Sequence, residues 1–141
     1  MKQTISFVTL GVSDLDRSRR FYKALGWIES SGSKAEVAFF HVGNIAFALF
    51  GRDSLADDAN MSPESSGFPG FSLAHNVASE ADVEATLLEA VTAGGKLLRH
   101  AEKASWGGLR GYFADPDGFL WEVCYNPYFP LDEEGFLHLP K

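Results

Sequence analysis

The sequence predicts an α+β fold of two βαβββ repeats, forming a curved mixed sheet with an internal cup and helices outside. Three observations carry this. Residues 8–27, VTLGVSDLDRSRRFYKALGW, pass from β-type alternation into a capped amphipathic helix that stops at glycine. The same succession recurs from Phe71, so that Val12 aligns with Val77, Gly26 with Gly94 or Gly95, and residues 44–50 with 118–124. Between the two, residues 51–69 carry Ser, Asp, Asn, Pro and Gly with little periodicity and read as a loop or linker. Neither half alone covers both faces of its sheet, whereas two can enclose a cup.

In chain order, residues 4–12 alternate as a strand, with Val8, Leu10 and Val12 on one face and Phe7, Thr9 and Gly11 on the other. Ser13 reads as the N-cap of a helix to about Leu25, with Asp14 and Asp16 favoured in its first turn and Leu15, Phe21, Tyr22 and Leu25 as its apolar stripe. Residues 27–29, 35–42 and 45–50 read as the next three strands, completing a first half over about residues 4–50. In the second half, about residues 70–126, residues 71–77 are a strand and Ser79 caps a helix over 83–93, with Val83, Leu87, Leu88 and Val91 inward. Residues 96–99, 109–114 and 119–125 follow as strands. Asp115-Pro116-Asp117-Gly118 is the turn of the last hairpin: Pro presets φ and Gly closes it. The tail, residues 127–141, contains prolines that exclude a regular helix. It is too apolar for a free end and is expected to dock on its own domain or on a second subunit.

Apolar content of 45% is that of an ordinary globular protein, while 12 Phe, 4 Tyr and 3 Trp exceed what a minimal core needs and point to a lined cavity or an interface. The net charge of −7 disfavours nucleic acid and anionic membranes as partners. The single cysteine, Cys124, lies in an apolar strand and reads as a buried, inert thiol. With no signal peptide and no bilayer-length apolar run in the sequence, the expected location is the cytoplasm.

The blocks VTLGVSDLDRSRRFYKALGW and GYFADPDGFLWEV (residues 111–123), set in two βαβββ halves, resemble the vicinal oxygen chelate superfamily: glyoxalase I, bleomycin- and fosfomycin-resistance proteins and extradiol dioxygenases. The resemblance covers residues 4–126 and implies the cup. In its metal-using members, a His on the first strand of each half and a Glu or similar ligand on the last strand hold the ion. The corresponding positions here are Phe7, Ser72, Ala48 and Glu122, of which only Glu122 is a good ligand. The implied metal site is therefore dismantled, and neither a metal nor another cofactor is expected.

Strand alternation sends Leu120, Glu122 and Cys124 to the cup and Trp121 and Val123 under the helix. Glu122 is either a structural relic held by a hydroxyl, such as that of Ser72 or Thr9, or a general base or polar anchor for a ligand. The expected cup lining is Phe7, Thr9, Ala48, Phe50, Ser72, Asn76 and Glu122, with Phe39, His41 or Trp106 near the rim. Arg110 and Tyr112 share one strand face; if it is the cup's, Arg110 is a charge partner for Glu122. His75 falls on the helix side, and His41, His75, His100 and His138 show no H-x-H or H-x-x-x-H spacing that would suggest a relocated metal site.

The first reading is a metal-independent protein, of the glyoxalase/bleomycin-resistance type, that binds a small aromatic or cationic molecule and pairs as a homodimer. The second is a lyase or isomerase resembling glyoxalase I, with Glu122 as proton-transfer base; ring-cleaving dioxygenase chemistry is disfavoured. The third is a cup filled by its own side chains, with the tail acting as an interaction surface.

Overall fold

The computed structural model describes residues 1, 6–59, 62–64, 69, 71–137 and 139. The expected strand start at residues 4–5, residues 60–61, 65–68 and 70 of the linker region, and His138 lie outside the described residues. The chain divides into two compact units, Met1–Pro69 and Gly70–Lys141, each with its own mixed sheet.

The first unit holds β1 (Phe7–Val12), α1 (Leu15–Ala24), β2 (Val37–Val42), β3 (Ile45–Gly51) and α2 (Arg52–Asp58). Its strand order is β1-β3-β2, with β1 parallel and β2 antiparallel to β3. Leu10, Val12, Ala38, Phe40, Phe47 and Leu49 are all buried. Phe21 and Tyr22 of α1 are buried with them, and the Tyr22 ring lies 5.0 Å from that of Phe47.

Three local expectations are corrected here. The α1 cap is Asp14, whose carboxylate accepts from the Arg17 backbone N–H at 2.9 Å, while the Ser13 hydroxyl accepts from Arg17 Nη2. An anionic side chain satisfies the exposed N–H groups and the helix dipole together. Residues 27–29 form no strand beyond a single Glu29–Phe40 bridge, because the Trp27 ring turns inward to lie 5.1 Å from Tyr22 and 5.2 Å from Phe47. The supposed linker begins with the helix α2. A Cβ on Gly11 would meet Arg52 Cα and Leu55 Cδ2 at 3.2 Å, so α2 rests on bare backbone there. One anchoring leucine on a glycine leaves no periodic signature in the sequence.

The second unit holds β4 (Leu73–Asn76), α3 (Glu80–Thr92), β5 (Lys96–Lys103), β6 (Leu109–Ala114) and β7 (Leu120–Tyr125), in the order β4-β7-β6-β5. β4 runs parallel to β7 and β6 antiparallel to it, which repeats the β1-β3-β2 arrangement and bears out the duplicated register. Ser79 caps α3 as expected, accepting from the Asp82 N–H. The buried stripe of α3 is Val83, Leu87 and Ala90, whereas Leu88 and Val91, expected inward, are exposed. They line a groove of about 410 Å³ between α3 and β5. β5 continues to Lys103, well past the expected end at Arg99, and so contains His100.

The β6–β7 turn rests on Asp115, which is 3% exposed. Its carboxylate accepts from the Asp117 and Phe119 N–H groups at 2.9 Å, and Gly118 supplies φ +91°. The tail repeats this device. Asp132 accepts from Glu134 and Phe136, Gly135 takes φ +86°, and Leu131 bridges Leu137. Both turns share the pattern Asp-x-x-Gly-Phe. Within the tail, Tyr128 Oη lies 3.1 Å from where a Gly107 Cβ would stand, while Phe136, Leu137 and Leu139 are exposed. Asp115→Ala leaves two N–H groups without their acceptor and is expected to cost about 2 kcal/mol. The urea midpoint checks this, and a midpoint equal to that of the native protein would contradict it.

Candidate functional site

The pairing register sorts the predicted site residues by face. In the first unit, Phe7 pairs with Ala46, Thr9 with Ala48 and Gly11 with Phe50 on one side of the sheet, while Phe39 pairs with Ala48 and His41 with Ala46. Because residues opposite one another share a face, Phe7, Thr9, Phe39, His41, Ala48 and Phe50 all lie on the side away from Leu10 and Phe47. Phe7 is 54% exposed and meets Phe39 edge-on at 6.0 Å. Ala48 is buried between its two strand neighbours. Near Gly11, α2 covers this face.

In the second unit the corresponding face forms two rows. Ala74, Glu122, Tyr112 and Arg99 follow one another across β4, β7, β6 and β5, and Asn76, Cys124, Arg110 and Glu102 form the next row. Trp121 and Val123 point the other way and are buried. Leu87 of α3 approaches Gly111 from that side. The alternation read from the sequence therefore places Glu122 correctly, opposite the helix face. Ser72 lies exposed just before β4, and Trp106 sits in the β5–β6 turn, 43% exposed, with its ring against Gly108.

Glu122 is half-buried and stands opposite Tyr112, close enough that its carboxylate acts on the Tyr112 hydroxyl. Burial, followed by the Glu122 charge, raises the Tyr112 hydroxyl above its usual range, so it remains a proton donor. Burial also raises the Cys124 thiol, with Glu122 adding to the effect, which agrees with an inert cysteine. Within the second unit, the hydroxyl that Glu122 acts on is that of Tyr112.

Arg110 corrects a second expectation. Its Nη1 lies 3.3 Å from Glu102 Oε1, so its carboxylate partner is Glu102 and not Glu122. Arg99 pairs with the same carboxylate. These charges hold the exposed Glu102 carboxyl below its usual range, with the Arg99 hydrogen bond as the largest cause. The sequence reading missed both residues because β5 carries irregularities between Leu97 and Arg99 and between Arg99 and Glu102, which break the alternation.

His75 lies on the helix side of β4, as expected. Partial desolvation lowers its pKa, opposed by the charge of Glu89 on α3. The unfolded chain therefore takes up this proton near 6.5, while the folded chain takes it up only at lower pH. Below 6.5 the unfolded state binds more protons, so stability falls as pH drops through that window. His75→Gln is expected to reduce this fall in denaturation midpoint. A variant that follows the native pH dependence would exclude His75 as its source.

Among the described residues, no three or more His, Cys, Asp or Glu side chains stand together to hold a metal ion. Of the four positions that the superfamily resemblance assigns to a metal ion, Phe7 and Ala48 lack side-chain donor atoms and Ser72 is a neutral hydroxyl. These residues do not fit a metal.

A model of the Glyoxalase/Bleomycin resistance protein/Dioxygenase superfamily matches residues 4–123. A crystal structure of a glyoxalase-related enzyme from Fulvimarina pelagi is 35% identical, covers 99% of this chain and 100% of its own, and superposes with a TM-score of 0.89. A glyoxalase/bleomycin resistance protein/dioxygenase family enzyme from Burkholderia phytofirmans PsJN is 20% identical, over 85% of this chain and 96% of its own, with a TM-score of 0.75. Lactoylglutathione lyase from Agrobacterium tumefaciens is 21% identical, over 89% and 96%, with a TM-score of 0.67. These last two likenesses concern the fold alone. No curated protein matches the chain. No helix among the described residues is long and apolar enough to cross a membrane.

Proposed function

This chain belongs to the Glyoxalase/Bleomycin resistance protein/Dioxygenase superfamily, and we propose that within it the chain binds a small organic cation through Glu122, without a metal ion. The observation that carries this reading is a half-buried carboxylate, opposite Tyr112, with no cationic side chain paired to it among the described residues. A carboxylate partly withdrawn from water gains most from a positively charged hydrogen-bond donor. Ala74 on one flank leaves room for the ligand body, and the Tyr112 ring on the other flank suits a cation with an aromatic part.

The test starts with metal analysis of protein purified without chelator, followed by titration with Ni²⁺, Zn²⁺, Mn²⁺ and Fe²⁺. The reading expects no stoichiometric binding. Tight binding of one ion that Glu122→Ala abolishes would overturn it. Benzylamine, as a minimal aromatic cation, is expected to raise the melting temperature of the metal-free protein.

A second reading makes Glu122 a proton-transfer base in a lyase or isomerase reaction, supported by the name of the 35% identical relative, a glyoxalase-related enzyme. Here the half-buried carboxylate would take a proton from carbon. Turnover of an α-hydroxy- or α-keto-carbonyl substrate that Glu122→Gln abolishes would favour it over binding alone.

A further inference from the structure

Beyond Glu122, the same face carries an unbalanced group of charges. Arg99 and Arg110 share the single carboxylate of Glu102, leaving the three with one positive charge in excess. Arg99 and Glu102 are half exposed, so water serves them well, but the Arg110 side chain is only 16% exposed. Of its donors, only Nη1 meets an acceptor among the described residues: Glu102 Oε1 at 3.3 Å and the Glu102 carbonyl oxygen at 3.5 Å. The Nε–Nη2 edge, the side that grips a carboxylate with two parallel hydrogen bonds, has no partner there.

Arg110 and Glu122 are diagonal neighbours. Glu122 stands opposite Tyr112, and Arg110 is two residues from Tyr112 on the same face. Such positions lie about 7–8 Å apart at the backbone. The face thus presents an acid and a base separated by a tyrosine, each with unused hydrogen-bonding capacity.

We propose that the ligand of this face is amphoteric: its cationic group meets Glu122, and a carboxylate several atoms away meets the free edge of Arg110. This rests on the reading of Glu122 as the cation anchor and adds the chemistry of the ligand's other end. A guanidinium partly removed from water, whose one counter-anion is shared with Arg99, gains from an arriving carboxylate.

Three probes separate the two claims in calorimetric titrations at fixed ionic strength: benzylamine, benzoate and 4-(aminomethyl)benzoate. The amphoteric compound is expected to bind about tenfold more tightly than benzylamine, the gain of one charge-assisted contact. In Arg110→Gln that ratio is expected to fall to about one, and in Arg110→Lys, which keeps the charge without the fork, to an intermediate value. Glu102→Gln, which removes the negative charge that Arg110 shares with Arg99, is expected to raise the ratio above the native value. The opposite direction of this change guards against a variant that merely misfolds. Equal binding of benzylamine and 4-(aminomethyl)benzoate overturns the amphoteric ligand while leaving the cation anchor standing. A tenfold preference that persists in Arg110→Gln overturns the assignment to Arg110. Failure of all three probes to bind overturns the anchor and the amphoteric ligand together.

Discussion

Gly111→Val is expected to destabilise the second half by about 3 kcal/mol or more, a large fraction of the total stability of a domain this size. Gly111 lies on the helix side of β6, opposite Val123. A Cβ there would stand 2.5 Å from Leu87 Cδ1, 2.8 Å from the Arg99 carbonyl oxygen and 3.2 Å from the Ala101 nitrogen. Leu87 can rotate away, but the Arg99 and Ala101 atoms are backbone and move only with β5. They belong to the irregular stretch of that strand, so displacing them also disturbs the placement of Arg99 and Glu102. The expected result is an early urea transition, together with weakened binding at the Glu122 face. A Gly111→Val protein as stable as the native one would mean that β5 does not approach β6 as described.

Glu122→Gln carries the second large effect, on binding. Glutamine keeps the volume of the side chain and a carbonyl oxygen, so the packing beside Tyr112 is preserved. It removes only the negative charge. If that charge anchors an organic cation, benzylamine affinity should fall by about 10- to 100-fold. Undiminished affinity would place the ligand elsewhere. Tyr112→Phe is the milder companion: it removes the hydroxyl beside Glu122 while leaving the charge, and should weaken binding by a smaller factor.

Much of this site was legible in the sequence because β-structure has a fixed period. Once residues 120–125 are read as a strand with Trp121 and Val123 inward, Glu122 must face the other way, and the structure agrees. The Asp115 turn was equally plain, and its second copy at Asp132 shows as the same Asp-x-x-Gly-Phe pattern. What could not be read are features set by close approach. Helix α2 exists because Leu55 finds a glycine to rest on. Hydrophobicity alone assigns Leu88 to the core of α3, but the buried position is taken by the smaller Ala90. The true partner of Arg110 lies on a strand whose irregular pairing hid its length, so Glu102 could not be placed beside it.

The most direct test of the central proposal is a crystal structure of the protein, purified without chelator and then soaked with benzylamine. The account predicts the ammonium nitrogen within about 3 Å of a Glu122 carboxylate oxygen. A metal ion coordinated by Glu122, or benzylamine bound only at other places on the protein, would contradict it.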